Sequence, residues 1–303
     1  MENASLYEYM RVGIVHFMAY PECMSGEGPV VETILKVAED PFFNFIEIGH
    51  IKDPKARREA KQILDASGMG VAYAAQPVVF SQLLNLNAFD DHERQQAIDR
   101  LKGCIEEAAE MGAESVALVS GPDPGADRRP EASLLLARSL QELCDEANGC
   151  GLSVALETFD RTIDKKALIG PSDEAVNLAQ MVNRANFGLM LDLSHLPIQF
   201  ESTYKALHAA QEFLVHAHIG NCVLRDPNHP AYGDQHPHFG IEGGENGVEE
   251  LAEFLQVLTF INYLEQSDNP RVVSFEVRPR PGQSSELVIA NAKRTLIQAW
   301  AQI

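Results

Sequence analysis

Short apolar runs alternate with longer segments of helical periodicity along the whole chain. The apolar runs lie at residues 11–15, 44–49, 71–76, 115–120, 152–157, 187–192, 213–218 and 272–276. The helical segments lie at residues 30–40, 55–67, 91–111, 131–148, 172–184, 203–210, 248–264 and 284–302. Strict alternation of this kind is typical of parallel strands joined by crossover helices. Because eight such units favour a closed barrel over an open sheet, the sequence predicts an α/β fold, a (β/α)8 TIM barrel, with residues 1–303 as a single domain.

The charge of the chain limits the partners that it can bind. Among 303 residues, 44 are acidic and 24 are lysine or arginine, which gives a formal net charge of -20. Because nucleic acids and anionic membranes are bound through basic side chains, neither is an expected partner. We expect no signal peptide, since the first residues are acidic, and no membrane span, since every apolar run is short. The five cysteines have no metal-finger spacing, so free thiols and a cytoplasmic location are expected.

Ionisable side chains close four consecutive apolar runs. Run five ends in Glu157, run six in Asp192, run seven in His218 and run eight in Glu276. Each one alone is compatible with a solvated strand end or a helix cap, but the carboxyl ends of barrel strands meet at one rim. Three carboxylates buried there would repel one another, and a cation removes that cost. Carboxylates with one imidazole predict one divalent metal ion, manganese first, with magnesium, cobalt and zinc as alternatives.

Four strand-end motifs resemble those of the xylose isomerase-like barrel superfamily. They read ALETFDR at 155–161, LDLSH at 191–195, HAHIGN at 216–221 and SFEVRP at 274–279. Within the superfamily, the pattern is most similar to that of the ketose 3-epimerases. The resemblance covers nearly the whole chain in the order of its elements. It implies a sugar isomerase or epimerase that transfers a proton on a ketose or oxo-sugar through a metal-stabilised enediolate.

The resemblance also implies roles for particular residues. The metal ligands of the ketose 3-epimerases match Glu157, Asp192, His218 and Glu276. The two glutamates would act as catalytic acid and base on opposite faces of the reacting carbon. His195 and Arg225 would bind and orient substrate oxygens. The small-molecule partner is therefore expected to be a sugar.

Two departures from the family pattern leave a second activity open. Ile163 replaces the second glutamate of the strand-five motif, and Arg225 lies seven rather than six residues beyond His218. A lyase on the same scaffold is the alternative: a dehydratase, an oxo-sugar acid decarboxylase or an enzyme that cleaves C-glycosides of 3-oxo sugars. A non-catalytic sugar-binding protein ranks last, because both catalytic glutamates are present. The endonuclease branch of the superfamily is not expected, since runs three and four end without further ligands.

Other polar residues near strand ends are candidates for substrate contacts. His16 and His50 follow the first two runs and are predicted to bind substrate, although a lone histidine is often structural. His216 precedes His218 by two residues, so both side chains are expected on the inner side of the strand, with His216 behind the predicted metal ligands. Arg278 and Arg280 follow the last run, where they would bind a phosphate or carboxylate or simply solvate the rim.

A long loop without strand or helix periodicity occupies residues 221–246. It contains His229, His236 and His238 and several glycines. Because it begins at the rim, we predict a lid or a loop that contacts substrate. A surface excursion and a contact in a homo-oligomer are the alternatives. A second metal ion at the three histidines is less favoured, because their spacing is irregular.

Overall fold

Eight parallel strands form the barrel. The computed structural model describes residues 5–303. The strands are β1 (Met10–Ile14), β2 (Phe45–Ile48), β3 (Gly70–Ala74), β4 (Ser115–Val119), β5 (Ser153–Glu157), β6 (Phe187–Asp192), β7 (Leu214–Ile219) and β8 (Arg271–Phe275). Each strand from β2 to β8 pairs with its neighbour in the chain, and β8 pairs with β1. Asn44 N–H donates to Val12 O at 3.1 Å and joins the ring next to β2. This nearly closed ring confirms the predicted (β/α)8 TIM barrel.

Helices connect the strands and surround the sheet. They are α1 (His16–Ala19), α2 (Val30–Ala38), α3 (Pro54–Ser67), α4 (Gln76–Gln82), α5 (Asp91–Met111), α6 (Arg129–Gly149), α7 (Ser172–Val182), α8 (His195–Ile198), α9 (Thr203–Ala210), α10 (Val248–Phe260) and α11 (Ser285–Trp300). Within residues 5–303, no helix is both long and apolar enough to cross a bilayer. The five cysteines are free thiols, as predicted.

Capping residues set where the connecting helices begin and end. The Asp53 carboxylate accepts the backbone N–H groups of the first turn of α3, which ends at Gly68 with φ of 71°. The Asp90 carboxylate accepts Glu93 N–H at the start of α5, which ends at Gly112 with φ of 76°. These ends return the chain to the amino-terminal side of the next strand. The carboxyl ends of the strands, which carry the polar residues, therefore all lie on the opposite side of the barrel.

The sequence pattern does not predict the short helix α4, because its first residue, Gln76, ends the third apolar run. Pro77 is in its first turn, where a proline favours a helix start. An apolar run of this length does not distinguish a strand from a helix by periodicity alone. The helix matters for the site, because Gln76 Nε2–H donates to Glu157 Oε2 at 2.9 Å.

Small and apolar side chains fill the barrel below the polar strand ends. At the amino-terminal end of the barrel, Phe45, Ala72 and Val272 form one cluster. Near the middle of β4, β5 and β6, another cluster comprises Ala117, Ala155 and Met190. The interior is therefore a packed core, and the carboxyl ends of the strands are where a binding site can open.

Gly13 lies where β1 passes β8 inside the barrel. A Cβ added there would lie 2.2 Å from Ser274 Oγ and 3.3 Å from Phe45 Cδ1. We expect Gly13→Ala to lower the free energy of unfolding in urea by about 1–3 kcal/mol, because overpacking shifts side chains or backbone. Gly149→Ala is the control, since an added Cβ there meets no atom within 4 Å. Equal losses in the two variants would contradict this account of the packing.

Candidate functional site

Four strand ends bring three carboxylates and one imidazole together. Glu157 ends β5, Asp192 ends β6, His218 lies in β7 and Glu276 directly follows β8. One ligand atom of each lies within 4.8 Å of the others. His218 Nδ1 is 2.8 Å from Glu276 Oε2, 3.6 Å from Glu157 Oε1 and 4.0 Å from Asp192 Oδ2. We call these residues the four-ligand cluster; they are the four that the sequence indicates as metal ligands.

Two oxygens of the four-ligand cluster fit a bound cation. Within residues 5–303, Glu157 Oε1 and Asp192 Oδ2 are buried and have no hydrogen-bond partner. Burial, reinforced by the Glu276 carboxylate, raises the pKa of Asp192. A buried polar atom without a partner costs roughly 1–3 kcal/mol. Since a divalent cation would remove that cost and suits carboxylates with an imidazole, the residues present fit such an ion.

Glu47 in β2 orients the histidine of the four-ligand cluster. His218 Nε2–H donates to the two oxygens of Glu47 at 3.0 and 3.1 Å, and His216 Nε2–H donates to Glu47 Oε1 at 2.8 Å. Burial raises the pKa of Glu47, but the two imidazoles outweigh burial and hold that pKa well below its usual range. Because His218 Nε2 carries the proton toward a carboxylate, its Nδ1 faces the cluster, as is common for metal-binding histidines.

A second cluster adjoins the first and is held together by Asp234. Asp234 Oδ1 accepts from His195 Nε2–H at 3.0 Å and lies 2.8 Å from His236 Nε2. His195 Nδ1–H donates to Thr158 O at 2.9 Å. Burial lowers the pKa of His195, but the Asp234 carboxylate outweighs burial and raises that pKa well above its usual value. With both ring nitrogens donating, His195 is a buried cation beside the four-ligand cluster and not one of its ligands.

The long loop after β7 reaches the site. Its Asp234 and His236 line the cavity, and His236 Nε2 is 3.4 Å from Glu276 Oε1. Lys165 Nζ, from the loop after β5, lies 2.8 Å from Asp234 Oδ2 and ties the two loops together. Burial lowers the pKa of His236, but Glu276 and Asp234 raise it to about 9. This placement supports the prediction of a loop that contacts substrate.

The three histidines of the long loop are not gathered into one site. His236 adjoins the four-ligand cluster, whereas His229 Nδ1 accepts Ala231 N–H at 3.1 Å within its own turn. His238 Nδ1 accepts from Gln283 Nε2–H at 3.3 Å, against the segment after β8. The less favoured alternative of a second metal ion at these histidines therefore has no geometric support.

The four-ligand cluster opens into a cavity of about 810 Å³, which is within the usual range for small-molecule sites. The polar and charged residues of its lining include Glu47, His50, Gln76, Glu157, Lys165, His218, Asp234, His236, Glu276 and Arg278. The apolar residues of its lining include Val15, Phe17, Met18, Phe80 and Phe159. The polar residues can thus bind oxygens, and the apolar residues can pack against C–H groups.

The structure brings only part of the predicted substrate-binding set to the cavity. His50 lines it, and His195 is buried behind the Phe159 ring, with 4.6 Å between the ring centroids. His16 lies elsewhere: its Nε2 is 2.8 Å from Thr33 Oγ1, and burial lowers its pKa to about 3. It is a neutral structural histidine. Arg225 is also outside the cavity, with a side chain that is 73% exposed and lies 3.4 Å from Glu245.

Glu107 of α5 fixes the orientation of His50. His50 Nδ1–H donates to Glu107 Oε2 at 2.6 Å, and Glu107 Oε1 accepts Ile51 N–H at 2.9 Å. Arg57 Nη1 lies 3.1 Å from the same carboxylate. Burial raises the pKa of Glu107, but these three partners outweigh burial and lower it. The Nε2 side of the imidazole is left toward the cavity.

We expect Glu107→Gln to lower the free energy of unfolding at pH 7 by about 1–3 kcal/mol, because charge-assisted hydrogen bonds are lost. The pKa of Glu107 is lower in the folded than in the unfolded chain. Its carboxylate therefore stabilises the fold above its ordinary pKa, and that contribution disappears as the pH falls. Urea unfolding should show the difference between wild type and variant shrinking at acid pH. Glu110→Gln is the control, since Glu110 is a more exposed partner of Arg57. If the difference in unfolding free energy between wild type and Glu107→Gln stayed constant with pH, the lowered pKa of Glu107 would be contradicted.

Several residues of the site were missed from sequence. Glu47 carried a signal, because it is the one acid inside the apolar run FIEI. Gln76 ends the third apolar run, where its uncharged amide gives no metal-ligand signal, and Lys165 and Asp234 lie in connections whose course no periodicity predicts. They reach the site through contacts between loops that are distant in the chain.

Comparison with known proteins agrees with this fold. A family model described as xylose isomerase-like TIM barrel matches residues 36–294. The chain belongs to the xylose isomerase-like TIM barrel family. Over 89 residues it is 32% identical to a D-psicose 3-epimerase of Ruminiclostridium cellulolyticum, a match that spans 29% of this chain and 30% of that relative's length.

Solved structures share the fold over nearly the whole chain. A D-tagatose 3-epimerase-like protein has 19% sequence identity and a TM-score of 0.71, with 97% of this chain and 99% of that chain covered. The IolI protein with a bound zinc atom has 20% identity and a TM-score of 0.73, also with 97% and 99% covered. At this level of identity the likeness is one of fold.

Proposed function

We propose that this protein is a metal-dependent epimerase or isomerase that moves a proton on the carbon beside the carbonyl of a ketose or oxo-sugar. The observation that carries the proposal is the four-ligand cluster, in which Glu157 and Glu276 approach His218 Nδ1 to 3.6 and 2.8 Å at the cavity. The partial identity to D-psicose 3-epimerase supports the same reaction class.

The residues that would hold the cation are those of the four-ligand cluster. When bound, the ion would polarise the sugar carbonyl and stabilise the negative charge that develops as the neighbouring carbon loses its proton. Manganese is the ion that we propose from the donor types. Zinc is the first alternative, because the IolI structure contains a zinc atom.

The proton transfer itself is assigned to two glutamates. Glu157 and Glu276 belong to strands on different sides of His218 in the ring, so they can approach one carbon from opposite faces. One would remove the proton and the other would return a proton, which inverts the configuration. His195 and His236, both held by Asp234, place positive charge beside the developing oxyanion. His50 is proposed to contact a substrate hydroxyl.

A lyase remains the second candidate because of Ile163. The family carries a glutamate at this position that contacts the sugar, whereas Ile163 does not line the cavity. A substrate with a leaving group beside the acidic carbon would undergo elimination after the same proton abstraction. The chemistry of the four-ligand cluster would be unchanged.

Product mass distinguishes the two reactions. The metal-loaded protein is incubated with free ketoses and with 3-oxo-glycosides, and the products are separated and weighed by mass spectrometry. We expect a product of unchanged mass and altered retention. Loss of water, carbon dioxide or an aglycone would favour the lyase, and no conversion across the panel would contradict both.

A further inference from the structure

A second groove, of about 810 Å³, lies beside the main cavity. It runs between the loop after β7, represented by Pro230 and Ala231, and the segment after β8 that leads into α11. The groove and the cavity share three lining residues, which are Pro21, Gln235 and Arg278. A molecule bound at the four-ligand cluster can therefore extend past Arg278 into the groove.

The groove carries two arginines without an acidic partner. Within residues 5–303, neither Arg278 nor Arg280 has a carboxylate partner or a side-chain hydrogen bond. Other arginines of the chain do pair with acids, as Arg161 does with Glu174 and the exposed Arg225 does with Glu245. Two free guanidinium groups in a concave surface favour an anion.

The backbone holds both arginines in place. Arg278 N–H donates to His236 O at 2.7 Å, which ties the segment after β8 to the loop after β7. Arg280 N–H donates to Gln283 Oε1, in the same segment, at 3.0 Å.

The start of α11 adds donors to the same groove. Ser285 is the first residue of this 16-residue helix and lines the groove, as does Ser284, whose Oγ accepts Leu287 N–H at 3.1 Å. A helix start favours negative charge, and TIM barrels often bind phosphate between the loops that follow strands seven and eight. Among the described lining residues, Glu22 is the one carboxylate, and it is exposed to solvent.

We propose that this groove binds the phosphate group of a phosphorylated sugar whose carbonyl end lies at the four-ligand cluster. The inference rests on the proposed function and names its substrate class. Two guanidinium groups and two serine hydroxyls match the three oxygens of a phosphate monoester better than the two oxygens of a carboxylate. Arg278, at the junction of groove and cavity, would set the distance between the two ends of the substrate.

Calorimetric titration of the metal-loaded protein tests the proposal without turnover. The probes are glucitol 6-phosphate, glucitol and gluconate, none of which has a carbonyl to be epimerised. We expect glucitol 6-phosphate to bind at least about tenfold more tightly than either other probe, and Arg278→Met and Arg280→Met each to lower its affinity about tenfold. Arg138→Met, an exposed arginine of α6, is the control and should leave affinity unchanged.

Three outcomes would overturn the inference. One is equal affinity for glucitol 6-phosphate and glucitol, and another is tighter binding of gluconate. The third is an affinity for glucitol 6-phosphate that neither arginine variant alters. That result would indicate that the phosphate binds the metal ion and not the groove. The proposed function is judged separately by proton exchange on ketoses with and without a phosphate group. Exchange without selective phosphate binding refutes this inference alone, and phosphate binding without any exchange refutes the function alone.

Discussion

Glu276→Gln should lower the rate of epimerisation about 10³-fold, since a positioned acid or base contributes roughly 10²–10⁴-fold to such a reaction. Glutamine keeps the size of the side chain and an oxygen toward His218, but it cannot accept the substrate proton. The loss should fall on kcat more than on KM. Glu249→Gln, an exposed glutamate in the first turn of α10, is the matched control and should have no effect. Metal content, measured on the same samples, separates lost chemistry from a lost ion.

The two-glutamate mechanism makes a sharper prediction for isotope exchange. If Glu157 and Glu276 serve opposite faces, each glutamine variant retains one base. The Glu276→Gln protein should then exchange the carbon-bound proton of one epimer with D₂O without forming the other, and Glu157→Gln should do so with the opposite epimer. Loss of exchange with both epimers in both variants, at full metal content, would contradict the division of roles.

Asp192→Asn should weaken metal binding by about 100-fold or more, as the loss of a direct ligand ought to exceed the 10–100-fold expected when a supporting partner is lost. Asp192 is fully buried, and its Oδ2 has no partner within residues 5–303. In the wild type, metal at about 100 times its Kd should add roughly 2.7 kcal/mol to the free energy of unfolding. Thermal unfolding with and without metal should show a rise in Tm for the wild type and little rise for the variant.

The difference in stability between the metal-free wild type and the metal-free variant gives a second check on Asp192. Since burial and Glu276 raise the pKa of Asp192, its ionised form destabilises the metal-free fold near pH 7. In chelator, Asp192→Asn should therefore be at least as stable as the wild type. Asp268→Asn, on an exposed turn, controls for the loss of one charge. A variant that is less stable in chelator and still responds to metal would contradict the assignment of Asp192 as a ligand.

The strand ends could be predicted from the sequence because their signal is local. Glu157, Asp192 and His218 each end or nearly end an apolar run, and barrel geometry alone places such ends at one rim. The same logic led to His16, whereas the family resemblance led to Arg225, and the structure places both outside the cavity. His16 turns onto Thr33 in the first turn of α1, and Arg225 lies in a loop whose course depends on contacts across its own length.

The rest of the site depends on contacts between distant segments. Asp234 joins His195 to Lys165 across three different connections, and no spacing in the chain encodes this pairing. Glu47 is bound by His216 and His218, which are far away in sequence but close in the ring. A periodic pattern predicts where a strand ends and to which side of the sheet each of its side chains points. It does not fix where loops of irregular conformation meet.

Proton nuclear magnetic resonance of a ketose in D₂O tests the central claim most directly. With metal-loaded protein, the account predicts one deuterium from solvent at the carbon beside the carbonyl as the epimer appears. It also predicts that a chelator stops both exchange and epimerisation, and that added manganese restores them. An epimer formed without solvent deuterium, or exchange that a chelator leaves unchanged while the protein holds no metal, would contradict it.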